Sequence, residues 1–259
     1  MAKKKKKPHP AAFPRIGTPA AENFVQSWVR INSFFYWVLH MASSIDHMHQ
    51  VAAEALRTVN DVDENEENAD HKTMIDVLKE NRQFFLEVTV VRHIENYLNY
   101  LSELLYEIFT GRPETLRSSD KVEISRVLAH ASIQDFVRAA AERKVDSLSY
   151  SSFSELAEFF QDRFGLTIIS SNYESVVVEA IETRNISVHN RCLINDRYCS
   201  RTGADSNQIG NRKDIYVGTL DELVPLLFDV VKELDVSARK KLKLKGRRFV
   251  IDKPSPWIL

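Results

Sequence analysis

Glycine and proline are scarce in this chain, with 7 glycines and 8 prolines among 259 residues, and several of the prolines sit near the two ends. An all-β protein needs such turn residues at short intervals, so their scarcity turns the reading toward helix. Cysteine is scarcer still: Cys192 and Cys199 are the only two. That count excludes a disulfide framework, and no Cys or His set at zinc-finger spacing accompanies them. Neither cysteine has a general base beside it in sequence, which speaks against a thiol nucleophile. No apolar run reaches bilayer-spanning length without charges, and Lys3 to Lys7 lead into Pro8, His9 and Pro10 instead of the apolar region of a signal peptide. The expectation is a cytoplasmic protein without a membrane anchor. Phosphate-cradling glycine loops, internal repeats and sustained heptads are also missing, which argues against a P-loop nucleotide site, a solenoid and a coiled coil.

What is present is the balance of a folded globular chain, since hydrophobic residues make up 44% and charged residues 27%. The formal net charge of -1 hides two basic ends. Lys3 to Lys7 form one block, and Arg239, Lys240, Lys241, Lys243, Lys245, Arg247 and Arg248 form the other. Such clusters hold phosphate backbones or serve as solvated tails, and Lys240, Lys241 and Lys243 are the candidate nucleic-acid contacts.

Periodicity gives the organisation. Residues 1–20 read as a flexible basic lead. Residues 21–71 read as a helical extension followed by an acidic linker: Phe24, Trp28, Ile31, Phe35, Val38, Ile45, Met48, Ala52, Ala55 and Val59 keep mostly helical spacing, with a break expected at Ser43 and Ser44. Asp61 to Asp70 supply the linker. Residues 72–238 read as the main helical domain and 239–259 as a basic tail. Its clearest helix carries Phe84, Val88, Val91, Ile94, Leu98, Leu101, Leu105 and Ile108 along one stripe, and Gly111 and Pro113 stop it. A looser pair of helices follows, about Asp120 to His130 and Ile133 to Arg143. Ser152 with Glu155 predicts a capping box and Gly165 a helix stop near Phe164. A helix is expected at about Tyr173 to Val188, then a polar loop to Gly218 with a short strand at Ile215 to Val217. A second capping box, Thr219 with Glu222, precedes a last helix through Leu234. The fold class is all-α.

The chemistry concentrates between Glu182 and Arg191. Val177, Ile181, Arg184 and Val188 share a narrow helical arc, so Arg184 interrupts an apolar stripe. A guanidinium there needs a carboxylate or an anion-binding cleft. Asn185 and His189, four apart, flank the stripe with Glu182 beside them. Spacing alone favours an ordinary structural reading: Arg184 could bridge helices, His189 could satisfy last-turn carbonyls, and Asn190 could end the helix. Arg184 and His189 lie about 140° apart on an ideal helix, so they meet only through a frayed last turn or the reach of Arg184.

The run Arg184, Asn185, Ile186, Ser187, Val188, His189 resembles the signature of the HEPN family, an Arg, commonly followed by Asn, with His after about four to six residues. Asp146 to Tyr150 with the capped helix behind it, and Val188 to Arg191 continuing into Asp196, Arg197 and Tyr198, are similar too. The resemblance covers about Phe84 to Leu234. It implies an HEPN-like helical bundle that dimerises so that two motifs face RNA across one cleft. It also implies metal-independent endoribonuclease activity: a ribose 2′-OH attacks the adjacent phosphate and leaves a 2′,3′-cyclic phosphate, with no cofactor. In that role His189 moves protons and Arg184 stabilises developing charge. Asn185 would orient His189 or hold a phosphate oxygen, Glu182 would pair with Arg184, and Asn190 and Arg191 would support them. Many family members are toxins or antiviral nucleases restrained until triggered, so an antitoxin or sensor partner is expected.

Two other readings stay open. One is a non-catalytic HEPN module that binds nucleotide or a partner protein; the other is a nucleic-acid binder relying on the basic ends. Elsewhere, His47 and His49 point to different helix faces and lack a carboxylate to complete a metal site. His40, His93 and His130 read as packed or surface histidines. Trp28, Phe34, Phe35, Tyr36 and Trp37 read as bundle packing, with base stacking as the alternative.

Overall fold

The computed structural model describes residues 15–60, 72–116 and 122–251, with side chains for all of these except 56–60. The all-α expectation holds: among the described residues the only sheet is a two-residue pairing of Ile16–Gly17 (β1) with Arg247–Arg248 (β2). The helices are α1 (Pro19–Asn60), α2 (Met74–Glu80), α3 (Arg82–Gly111), α4 (Ile124–Leu128), α5 (Ile133–Ser149), α6 (Phe153–Phe164), α7 (Glu174–Asn190), α8 (Asp196–Thr202) and α9 (Val217–Leu242). None of the described helices is long and apolar enough to cross a membrane.

α3 is the hub. It packs against α1, α2, α5, α7 and α9, because its buried face carries Leu86, Val90, Ile94, Tyr97, Leu101, Leu104, Leu105 and Ile108 at three- and four-residue steps. The stripe read from sequence drifts off this face at its start: Phe84 and Val88 are 64% and 41% exposed. Ile94, Leu101, Leu105 and Ile108 are buried as expected. One core joins this face to Ala20, Ala21, Phe24 and Val25 of α1 and to Leu223, Leu227, Val231 and Leu234 of α9. The first turns of the expected N-terminal extension are therefore part of the main core.

α1 runs unbroken through Ser43 and Ser44, contrary to the expected break. At 42 residues it spans about 63 Å, longer than α3 at about 45 Å. Its second half therefore outruns the bundle, where Asp46 accepts the first amides of α2 from Met74 (2.6 Å) and Ile75 (2.9 Å). The aromatic cluster splits for the same reason. Phe35 stacks on Phe85 at 4.9 Å and Trp28 meets Phe228 at 5.4 Å, whereas Phe34, Tyr36 and Trp37 stay exposed. His47 and His49 are also exposed, and His93 is buried.

The start of α1 satisfies its free amides with long-range partners. Thr18 is buried and its Oγ1 accepts the Ala21 amide at 3.1 Å, while the Ala20 amide donates to Glu107 at 2.7 Å. Pro19 has no amide to satisfy. Asp235 of α9 accepts from the Thr18 amide at 3.2 Å and from its hydroxyl at 2.6 Å. Residues 15–18 of the expected basic lead and the start of the basic tail are built into this junction. α9 continues through Arg239, Lys240 and Lys241 to Leu242, Lys243 turns the chain with φ of 52°, and β2 returns it to β1. Arg247 and the Val250 amide bind Glu22, and the Phe249 ring lies over Gly17, where a Cβ would come within 2.5 Å of it. Residues 1–14 and 252–259 lie outside the described residues, as does the acidic linker.

Ser132 caps α5 through the Asp135 amide, and the Ser152 and Glu155 box caps α6, which Gly165 ends in the left-handed conformation at φ of 62°. The second expected box does not form. α9 starts at Val217, before Thr219 and Glu222, and the expected strand at Ile215 is preempted because Gln83 bonds both backbone groups of Ile215, at 2.9 and 3.1 Å. α8 lies inside what reads as loop.

Candidate functional site

α7 is packed along much of its length, burying Val177, Ala180, Ile181, Thr183 and Ile186 together with one carboxylate, Glu182, at 2% exposure. A buried carboxylate requires partners. Arg201 of α8 donates to Glu182 at 3.0 Å, and Arg197, one turn earlier on α8, lies 3.7 Å from it. α8 is held in register by Asn195, whose side chain accepts the Tyr198 amide at 2.9 Å. Tyr198 itself is buried and reaches Glu179 of α7 at 3.3 Å. Lys213 closes that corner, 2.6 Å from Glu179 and 5.6 Å from the Tyr198 ring centre. Burial pushes the Tyr198 phenol above its ordinary value.

Arg184 leaves the apolar stripe toward α3. Its Nη2 donates to Glu95 at 3.3 Å and its Nη1 to the Asn185 carbonyl oxygen at 3.2 Å, while its Nε is buried without a hydrogen-bond partner. Asn185 in turn donates to Glu182 at 3.3 Å, and Arg92 holds the other Glu95 oxygen at 2.8 Å. A continuous polar chain thus runs from α3 across α7 to α8. Arg92, Arg184, Arg197 and Arg201 stand against Glu95 and Glu182, with Glu155 also near enough to Arg201 to feel its charge, so four guanidinium groups face three carboxylates.

His189 sits one turn beyond Asn185, exposed, on the same side of α7. The helix stays regular through Asn190, so there is no frayed last turn, and Arg184 reaches toward α3. Asn190 donates to the Leu193 carbonyl at 2.7 Å and closes the turn. Arg191 and Cys192 follow with φ of 53° and 61°, two successive side-chain-bearing residues in the left-handed region. That conformation costs about 1 to 3 kcal/mol per residue and concentrates at functional turns. It is held by the Cys192 amide on the Ile186 carbonyl (3.0 Å), the Lys213 amide on the Cys192 carbonyl (2.9 Å) and the burial of Cys192. Burial raises the Cys192 thiol above its usual range, as suits a packed side chain.

One expected pairing changes, and one expected contact is not seen among the described residues. Glu182 pairs with the arginines of α8, and the carboxylate that holds Arg184 is Glu95. Asn185 links Arg184 to Glu182, and no described hydrogen bond joins it to His189. Arg184, Asn185 and Glu182 are brought together; His189, Asn190 and Arg191 form the adjoining rim. Lys240, Lys241 and Lys243 are far away, at the end of α9. Glu95, Arg92, Arg197 and Arg201 are the additional residues. Arg197 and Arg201 carried a signal, since their four-residue spacing after Asn195 marks one face of a short capped helix. Among the described residues no group of three His, Cys, Asp or Glu side chains is arranged to hold a metal ion.

Comparison with known proteins gave no relative: no family model matches the chain, and no curated protein and no solved structure does.

Proposed function

We propose that the chain is a metal-independent endoribonuclease of HEPN type, acting as a homodimer in the cytoplasm within a toxin or antiviral defence system. The observation that carries this reading is the guanidinium of Arg184, fixed by Glu95 and Asn185 in a net positive patch, with His189 exposed one turn further along α7. Fixed cations stabilise the extra charge of a phosphorane-like transition state without reorganising as the charge develops. An exposed imidazole takes the proton of the 2′-OH or returns one to the leaving 5′-oxygen. Asn185 acts as a positioning residue for Arg184. RNA is the substrate, and an antitoxin or sensor would restrain the enzyme.

The wide angle between Arg184 and His189 around a regular helix supports a dimer, in which each chain would supply half of a site. α3 and α7 run antiparallel here, since Arg184 pairs with Glu95 while Arg212, beyond the end of α7, pairs with Glu87. The exposed Val188, Val88 and Phe84 therefore flank the polar chain and offer apolar surface to a second copy.

A second reading is a non-catalytic HEPN-like module that binds nucleotide or a partner protein. It draws support from the same ion pair, because Glu95 already satisfies part of the Arg184 guanidinium within one chain. Single-stranded RNA incubated in EDTA with the protein and its Arg184→Ala and His189→Ala variants separates the two. The nuclease reading expects cleavage by the parent alone and products ending in 2′,3′-cyclic phosphate. Equal cleavage by all three sinks it. Toxicity on expression that disappears with His189→Ala supports the nuclease reading when the purified parent is restrained.

A further inference from the structure

We infer that the end of the bundle opposite the candidate site is a docking surface for the phosphate backbone of RNA, assembled where Arg15 meets the basic segment that follows α9. The β1 and β2 pairing sets Arg15 to Gly17 beside Arg247 to Phe249, with the Phe249 amide on the Arg15 carbonyl at 3.0 Å. Arg15, Lys240, Lys243, Lys245 and Arg248 are all exposed there. No carboxylate among the described residues pairs with any of the five. Two carboxylates of this region, Asp235 and Glu22, are 1% and 6% exposed and are committed to Thr18, Arg247 and the Val250 amide, and the exposed Glu114 pairs with Arg112. With Asp235 and Glu22 turned inward and these five cations turned outward, this surface is more positive than the net charge of the chain implies.

The expected trio of nucleic-acid contacts is revised accordingly. Lys241 bonds the Gly165 carbonyl and is engaged in packing, while Lys245, Arg248 and Arg15 join Lys240 and Lys243.

Placement connects this surface to the candidate site. Arg112, at the end of α3, donates to the Leu242 carbonyl at 3.0 Å and marks the basic end, while Glu95 of the same helix marks the site. Seventeen helical residues separate them, about 25 Å, or roughly seven phosphates at duplex spacing. A bilayer fits less well. A helix lying on lipid buries an apolar face in it, and the apolar face of α9 here, Leu234 and Ala238, is spent on the core. The choice of RNA over other polyanions rests on the endoribonuclease reading.

The test uses the full chain and a single-stranded RNA whose 2′-OH groups are all methylated, so that binding is read whether or not the protein cleaves. Affinity is measured against salt for the parent and for the Lys240→Gln, Lys243→Gln, Lys245→Gln triple variant, with circular dichroism confirming the fold. Three lost contacts lower the slope of log affinity against log salt by about two and weaken binding on the order of a hundredfold near 0.1 M salt. Unchanged affinity and slope overturn the proposal. So does capture by phosphatidylserine vesicles that the triple substitution abolishes while RNA binding persists. If methylated RNA binds as expected but natural RNA is never cut, docking stands and the nuclease reading falls. If natural RNA is cut equally by parent and triple variant and both bind alike, docking falls and the nuclease stands.

Discussion

Arg184 and Glu95 lie 3.3 Å apart and tie α7 to α3, so the one arginine that interrupts the apolar stripe of α7 is positioned by a residue 89 places earlier. Both side chains are 25% exposed, which places the pair between a screened surface bridge and a buried one. Glu95→Gln should therefore cost only about 1 kcal/mol in urea unfolding. If Arg184 acts in cleavage, the same change lowers the rate on the order of tenfold by loosening its position. A rate that stays at the parental value would assign the pair to structure alone.

Glu182 has a different weight, because it is buried and serves Arg201, Arg197 and Asn185 together. Glu182→Ala leaves an amide and two guanidinium groups without their acceptor. Both arginines are more than a third exposed and recover water, so the cost is about 2 kcal/mol, below that of a fully buried pair. Chemical denaturation reads it. Loss of α8 order follows, visible as faster amide exchange across Asp196–Thr202.

Two opposite pH effects are built into the α3 face toward α1. Burial lifts Glu107 from 4.5 to about 7 and also raises Asp235 and Glu103. The folded chain then holds protons that the unfolded chain releases, so stability falls as pH rises from 4.5 through about 7. Glu107→Gln should flatten that fall and add about 1 to 2 kcal/mol above neutrality, a figure discounted for its partial exposure. Melting temperatures across pH measure it.

His93 works in the other direction. Burial pushes its imidazole down from 6.5 to about 4, so the unfolded chain binds the extra proton first and stability is lost as pH falls through that window. His93→Gln should remove most of this acid loss, up to about 3 kcal/mol. An unchanged acid limb of the melting profile would contradict it.

Arg191 caps α7 in the left-handed region, where a side chain is unfavourable. Arg191→Gly should raise stability by about 0.5 to 1 kcal/mol in denaturant melts, provided the turn keeps its other bonds. A lower midpoint would mean that the arginine itself holds the turn.

The parts of this fold that could be read from sequence are those whose causes are local. The α6 box needs only Ser152, Glu155 and Gly165, and the helical character of α3 and α7 follows from their spacing. The Thr219 and Glu222 box had the same local credentials and failed because Gln83, distant in sequence, fixes Ile215 and sets where α9 begins. Phe84 and Val88 keep helical spacing yet face outward, since periodicity gives a face and not what lies against it. In the site, the demand of Arg184 for a partner was legible, but its identity was not. Glu182 was nearer in sequence, but Arg197 and Arg201 of α8 claim it. The interior orientation of Asp235 and Glu22 was equally hidden, because net charge does not distinguish inward from outward.

The cap of α1 has a consequence for synthesis. Thr18 waits for Asp235, which is 217 residues later in the chain. At roughly 5 to 20 residues per second, that partner is added about ten to forty seconds after Thr18. Until then the Thr18 amide and hydroxyl at the start of α1 lack their carboxylate, and the first turns of α1 lack the α9 side of the core. A nascent chain is therefore exposed at its start for most of the time that it takes to make, and a chaperone that guards the bundle would be expected to bind there first.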